Sequence, residues 1–267
     1  MSTDKRKAVF LDIDGTIITR GKGPFSEDTE AMEESTKKGH LLFLNTGRSF
    51  ANIPQVLLDF SFLKGIAAGG GAHVLLADPP PAHSRYQTIH HKWIPEHVLA
   101  EIFAWYGKHS DYCILEGERD CYIINPSSPL RLAKDPIPVH SLDDLKRKSS
   151  GDLITKLTLD GFASDDELLL LGSFFNVNSF PEYSEAIIKG ENKGKALELI
   201  LNTLGVKRED SIAIGDSAND LDMFRSAGLG IVMGSAPAEI KAAAGAVTAS
   251  CGEGGVAEAL KKLVLKQ

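Results

Sequence analysis

Two aspartates two residues apart, Asp12 and Asp14, stand directly after the apolar run Ala8–Val9–Phe10–Leu11 and before Gly15–Thr16. Along an extended chain residues i and i+2 point the same way, so such a pair can present two carboxylates to one place. Paired acids suit a nucleophile with an acid/base partner, but a solvated strand end with a turn is an equally simple reading. Three further segments carry polar groups. Asn45–Thr46–Gly47–Arg48 follows Leu41–Leu42–Phe43–Leu44. Its hydroxyl, backbone amides and guanidinium suit a phosphate, although Thr-Gly is also common turn chemistry. Lys193, after Glu191–Asn192, opens a helical pattern, and taken singly it reads as a surface lysine. Gly215–Asp216–Ser217–Ala218–Asn219–Asp220 follows Ser211–Ile212–Ala213–Ile214. Asp220 fits a first-turn acid favoured by the helix dipole. Asp216 is more informative, because a hydrophobic strand delivers it.

The elements that position these groups read as alternating strands and helices. Continuous apolar runs of four or five residues suit strands buried on both faces of a parallel sheet, and open sheets of this kind bind ligands at the carboxyl ends of their strands. Ser26 is expected to cap a helix through Lys38, with Gly39 ending it; a helix is expected across Phe50 to Phe60 and a third strand over Gly65–Ala68. After Pro79–Pro80–Pro81 the texture changes. The polar–apolar alternation of residues 152–159 suits an antiparallel sheet with one covered face, and helical patterns over 96–109 and 165–175 can cover it. From Ile187 the first texture returns, with helices over 192–204, 218–227 and 256–265 and strands over 211–215 and 229–233. The expectation is an α/β fold: a doubly wound parallel-sheet core from residues 1–82 and 187–267, interrupted by an inserted α+β domain over 83–186.

The chain has 267 residues, 43% hydrophobic and 24% charged, which is enough for a substantial core. Its formal charge of -7 argues against a nucleic-acid partner and means that an anionic substrate needs a metal or local cations at the site. No apolar run approaches a membrane span, and residues 1–7 lack a signal-peptide core, so a cytoplasmic protein is expected, as a monomer or small homo-oligomer. Cys113, Cys121 and Cys251 have no metal-like spacing; free thiols are the simpler reading, with a Cys113–Cys121 disulfide as the alternative.

Taken together and in this order, the four segments resemble the four motifs of the haloacid dehalogenase (HAD) superfamily, and more closely its Cof-type subfamily, with a large C2-type cap between the second and third. The likeness spans nearly the whole chain, including Val232–Met233–Gly234–Ser235–Ala236, Glu239–Ile240–Lys241 and Gly254–Gly255–Val256. It implies a Rossmann-like core and a Mg2+-dependent phosphatase acting on a small phosphomonoester through an aspartyl-phosphate. By this resemblance Asp12 is the nucleophile and Asp14 the general acid/base. Asp12, the Asp14 backbone carbonyl and Asp216 hold the metal. Thr46 and Gly47 bind the phosphoryl oxygens with Lys193 and Asn219, Arg48 steadies the loop or reaches substrate, and Asp220 holds Lys193. The cap length resembles that of members acting on hexose phosphates; a sugar phosphomutase or phosphotransferase, and a non-catalytic phosphometabolite-binding protein, are the alternatives. The chain departs from the family at Gly70 and Ser235, where the family usually has Asn. Within the cap, Glu116, Glu118, Arg119, Asp120, His90 and His91 are candidate substrate readers, each with an ordinary surface role as the simpler reading.

Overall fold

The short apolar runs form strands whose every residue is buried, as a sheet covered on both faces requires. The computed structural model describes residues 6–19, 22–77, 85–126, 133–180 and 182–265; Pro79–Pro80–Pro81 and most of the N-terminal tail lie outside these. In chain order the elements are β1 (Ala8–Leu11), α1 (Ser26–Lys37), β2 (Leu41–Asn45), α2 (Gln55–Leu58), β3 (Gly65–Ala68), β4 (His73–Ala77) and β5 (Tyr86–His91). Next come α3 (Glu96–Tyr106), β6 (Cys113–Glu116), β7 (Cys121–Ile124), β8 (Ile137–Pro138), α4 (Leu142–Ser149), β9 (Lys156–Asp160), α5 (Asp165–Leu171), β10 (Phe175–Ser179) and β11 (Tyr183–Ile188). The last are α6 (Lys193–Leu204), β12 (Ser211–Gly215), α7 (Leu221–Ser226), β13 (Leu229–Val232), α8 (Ala238–Ala243), β14 (Ala246–Val247) and α9 (Gly255–Leu263).

These elements form two units, the first from Met1–Gly47, Val56–His90 and Asn192–Gln267, the second from Arg48–Gln55 and His91–Glu191. The first unit holds a sheet ordered β14-β13-β12-β1-β2-β3-β4-β5, parallel from β14 to β3, with β4 antiparallel to β3. On one face Phe10, Phe43 and Ala213 pack with Leu197 and Ile200 of α6 and Met223 and Phe224 of α7. Val9, Leu11, Leu42 and Leu44 point to the other face and are equally buried, so the sheet is wound with helices on both sides. Leu11 pairs with Leu44 on one side and Ile214 on the other. The next residues, Asp12, Asn45 and Gly215, therefore emerge side by side at one edge.

The second unit has a six-stranded sheet ordered β10-β11-β9-β6-β7-β8, antiparallel except for the β7–β8 pair. One face is covered: Leu99 and Ile102 of α3, Leu145 of α4 and Leu171 of α5 pack on Leu115, Leu157 and Leu159. On the other, Ile114 and Ile123 pack with Ala51.

The unit boundaries differ from the expected 82/83 and 186/187. β5 extends the core sheet up to the crossing between His90 and His91, and β11 pairs along its whole length in the second sheet. Ser26 lies inside α1, and the capping position is Phe25, whose side chain makes no cap. The expected helix over 50–60 is broken: a 3-10 turn covers Phe50–Asn52, Ile53 is extended at φ -77 and ψ 128, and α2 begins only at Gln55. Pro54 accounts for the break, because it disfavours the helical conformation in the residue before it and has no N–H. The segment 218–227 likewise divides into a 3-10 turn, Ala218–Asp220, and α7. Cys113, Cys121 and Cys251 are free thiols. Among the described residues no helix is long and apolar enough to cross a membrane.

Asn192 caps α6, its side chain accepting from the Lys195 amide at 2.8 Å, and so fixes where Lys193 enters the helix. Asn192→Ala should lower stability by about 1 kcal/mol, read as a shift in the urea midpoint at unchanged slope.

Candidate active site

Lys193 is a lysine at 2% exposure, a position almost never taken by an unpaired ammonium. It is fully paired. Its Nζ donates to Asp12 Oδ1 at 2.6 Å, to Asp220 Oδ1 at 2.6 Å and to Asn219 Oδ1 at 2.9 Å. Three of the sequence segments thus meet on one ammonium. Burial alone disfavours its charged form, but the adjacent carboxylates outweigh that and hold the proton more tightly than in an ordinary lysine.

Asp220 is wholly buried and both its oxygens are used. Oδ1 takes Lys193, while Oδ2 accepts the Asp216 and Ser217 amides at 2.9 and 3.0 Å. It anchors the turn that presents Asp216 rather than pointing at open space. Asp12, Asp216 and Asp220 bring carboxylate oxygens within 4.8 Å of one another. Two carboxylates therefore contact the ammonium and a third lies close beside them. Burial, with Asp220 and Asp216 adding repulsion, drives the Asp12 carboxyl well above the usual range despite the pull of Lys193. Burial and the Asp220 charge push Asp216 up to about 7. Asp216 Oδ1 is buried without a hydrogen-bond partner among the described residues. An excess of negative charge together with an orphaned carboxylate oxygen fits a hard divalent cation.

Asp14 is exposed, and its backbone forms an isolated bridge with Ile18. Gly15 follows at φ +78, where a Cβ would come within 2.2 Å of Asp216 Oδ2. Glycine is needed here on both counts, for the left-handed backbone and for the approach of Asp216. Thr46 is buried at the end of β2; its amide donates to the Ala67 carbonyl at 2.8 Å and its carbonyl accepts from Gly70 at 3.0 Å. Gly70 sits at φ 64 and ψ 27, a conformation that glycine and asparagine both tolerate, so glycine keeps the turn while losing an amide side chain. Ser235, the other departure, is exposed. Arg48 belongs to the second unit, and its guanidinium donates to the Asn52 carbonyl at 2.9 Å.

Asn45 was read only as part of its segment, yet it ties two motifs together. Its Nδ2 donates to the Lys193 carbonyl at 2.9 Å and to Met223 Sδ at 3.3 Å. A polar residue closing an otherwise apolar strand is the one signal that points to it. Cys251, which the sequence reads only as a free thiol, lies within electrostatic reach of Asp216 and Asp14; burial and the neighbouring acids push its thiol up to about 11. In the second unit, Glu116 departs from the surface role expected for it, since it is fully buried.

Because Asp220 holds both Lys193 and the 216–217 amides, Asp220→Ala should cost about 3 kcal/mol, and calorimetric unfolding measures it.

A sequence profile of the haloacid dehalogenase-like hydrolases matches residues 9–260. Phosphatase YwpJ of Bacillus subtilis is 24% identical, with 97% of this chain and 100% of that protein covered. The 5-amino-6-(5-phospho-D-ribitylamino)uracil phosphatase YcsE of Bacillus subtilis is also 24% identical, over 97% of this chain and 96% of that protein. Among solved structures, the HAD subclass IIB sugar phosphatase BT4131 superposes with a TM-score of 0.79 at 26% identity, covering 96% of this chain and 98% of its own.

Proposed function

This chain belongs to the haloacid dehalogenase-like hydrolases and is a phosphatase of that family, and from this premise we propose that it hydrolyses a sugar phosphate, a hexose phosphate in particular, with Asp12 as nucleophile and Mg2+ as cofactor. The observation that carries the reading is the Asp12–Lys193–Asp220 arrangement at the carboxyl edge of the sheet, with Asp216 beside it and one of its oxygens unpartnered. Lys193 fixes one oxygen of Asp12 and supplies positive charge where a phosphate would otherwise meet three carboxylates.

In the proposed reaction Asp12 attacks phosphorus, the P–O bond to the sugar breaks, and Asp14 gives its proton to the departing alkoxide. Asp14, now a carboxylate, takes a proton from water, which attacks phosphorus and releases Asp12. The exposure of Asp14 suits a group that must exchange protons with water and leaving group, whereas the buried Asp12 suits a group that must not wander. The Asp12 and Asp216 carboxylates and the Asp14 carbonyl are the groups that would hold Mg2+, which supplies charge neutralisation between carboxylate and phosphate. Thr46 Oγ1 and the Gly47 amide would take phosphoryl oxygens, with Asn219 beside them. The sugar-phosphate preference is supported by the likeness to BT4131, and the second unit, as the cap, would read the sugar.

Phosphate release from a panel of hexose, pentose and nucleotide monophosphates, in Mg2+ and in chelator, tests this reading. Release should require Mg2+ and favour hexose phosphates, and Asp12→Asn should lower it by at least ~10³-fold while leaving the circular dichroism unchanged. Normal turnover in Asp12→Asn would remove the nucleophile assignment.

Asp216 also sets a pH dependence. Its carboxyl is raised from an ordinary 3.8 to about 7, so without cation it retains its proton in the folded chain at pH 6. It therefore favours the folded state at low pH, a contribution lost as pH rises through about 7. Cation binding needs the charged form, so Mg2+ affinity should fall from pH 8 to pH 6, with a proton released on binding at pH 6. Calorimetric titration in two buffers of different ionisation enthalpy reads both effects; an affinity independent of pH would refute the ligand role.

A further inference from the structure

Glu116, at the end of β6, is a fully buried carboxylate that the proposed chemistry does not use. Its Oε2 accepts from Ser49 Oγ at 2.9 Å and Asn52 Nδ2 at 3.3 Å. Its Oε1 accepts from Thr158 Oγ1 at 2.6 Å and faces the Lys156 ammonium at 3.6 Å, which is itself paired with Glu185 at 2.5 Å. Burial alone would push the Glu116 carboxyl up, but Lys156 and the three hydrogen bonds hold it below its usual value, so it is a stable anion.

Two of those partners come from Arg48–Gln55, a short segment that otherwise makes only a 3-10 turn and the first turn position of α2. The segment is attached to the second unit at further points. The Ala51 amide donates to the Gly117 carbonyl at 3.4 Å, Asn52 Oδ1 accepts the Ala133 amide at 2.8 Å, and Ala51 packs with Tyr112, Ile114, Cys121 and Ile123. Yet the residue before it, Gly47, belongs to the first unit, where Thr46 is held by Ala67 and Gly70. The chain thus changes unit at the peptide bond that follows the Thr46–Gly47 pair. Whatever fixes Ser49 fixes the far end of that pair.

We propose that Glu116 is a positioning residue for phosphoryl binding: by gripping Ser49 and Asn52 it sets the conformation in which Gly47 offers its amide to phosphate. The proposal rests on the phosphatase reading and deepens it. An apolar side chain could fill the same volume at equal or better stability, whereas a buried anion is suited to locating donors from a distant segment in one arrangement. The donors lie two and five residues beyond Gly47, so Arg48 alone separates the gripped Ser49 from it.

The test compares Glu116→Gln and Ser49→Ala with the unaltered protein in two measurements. Hydrogen exchange reads amides 47–53 whether or not the enzyme turns over; in Glu116→Gln these should exchange about tenfold faster, with β1 and β12 unchanged. Competitive inhibition by orthophosphate reads the loop; its KI and the substrate KM should rise about tenfold while kcat changes less. Ser49→Ala should move both readings in the same direction by a smaller factor, and it carries the test if Glu116→Gln does not fold. Unchanged exchange in a folded variant would overturn the anchoring, and faster exchange with unchanged orthophosphate affinity would overturn the positioning role. A failure of the unaltered protein to release or bind phosphate would instead overturn the phosphatase reading, with the exchange measurement still deciding whether Glu116 anchors the segment.

Discussion

The Lys193 ammonium is the interaction on which the first unit's edge depends. A buried cation must find its partners from the protein, and here they are Asp12 from one stretch of chain and Asn219 and Asp220 from another, distant one. Each partner has a second duty. The Asp12 amide, just past β1, donates to the Ile214 carbonyl, Asn219 Oδ1 accepts from the Ser217 hydroxyl, and Asp220 holds the amides of Asp216 and Ser217. Asn45 then ties the Lys193 backbone to the end of β2. The parallel register places the three strand ends side by side, but the ammonium binds the groups they carry into one arrangement. Burial first, and the surrounding negative charge second, holds two of the carboxyls above their usual range.

The second unit solves a different problem with the same physics. Its sheet buries leucines under α3, α4 and α5, an arrangement that needs no polar specificity. The opposite face carries Glu116, Lys156 and Glu185, all nearly buried, and each charge there is compensated by another or by a hydrogen bond. Asp152 acts similarly: its carboxylate accepts the amides of Glu118, Arg119 and Asp120 and the Tyr122 hydroxyl, which sets the turn between β6 and β7. It also explains why β9 starts at Lys156 rather than at Asp152, since residue 152 is committed to that turn. Such networks hold loops in one conformation more sharply than apolar contact does, because their geometry is directional.

The strands were legible in the sequence because burial on both faces demands unbroken apolar runs, and Ala8–Leu11, Leu41–Asn45 and Ser211–Gly215 meet that demand. The segments carrying Asp12, Thr46 and Asp216 are legible for a related reason: a strand that stops at a polar group announces the group, whereas Lys193, at a helix start, is legible only in company with them. Helix limits were less so. The break at Pro54 follows from proline's own chemistry, but the failure of Ser26 to cap α1 depends on how Phe25 enters the helix, which no local pattern records.

Residue type and order therefore determined the strand-helix alternation, the acids at the strand ends and the family to which the chain belongs. Tertiary structure alone decided which oxygen faces which proton. Glu116, read as a surface acid, is an internal anion because Ser49, Asn52, Lys156 and Thr158 converge on it from as far as 67 residues away in sequence. Asn45 and Gly15 matter because Lys193 and Asp216 approach them from distant parts of the chain. Sequence periodicity reports which face of an element is buried, since that depends on neighbours along the chain. The partner of a buried polar group depends on how separate elements meet, and that is settled only when they pack.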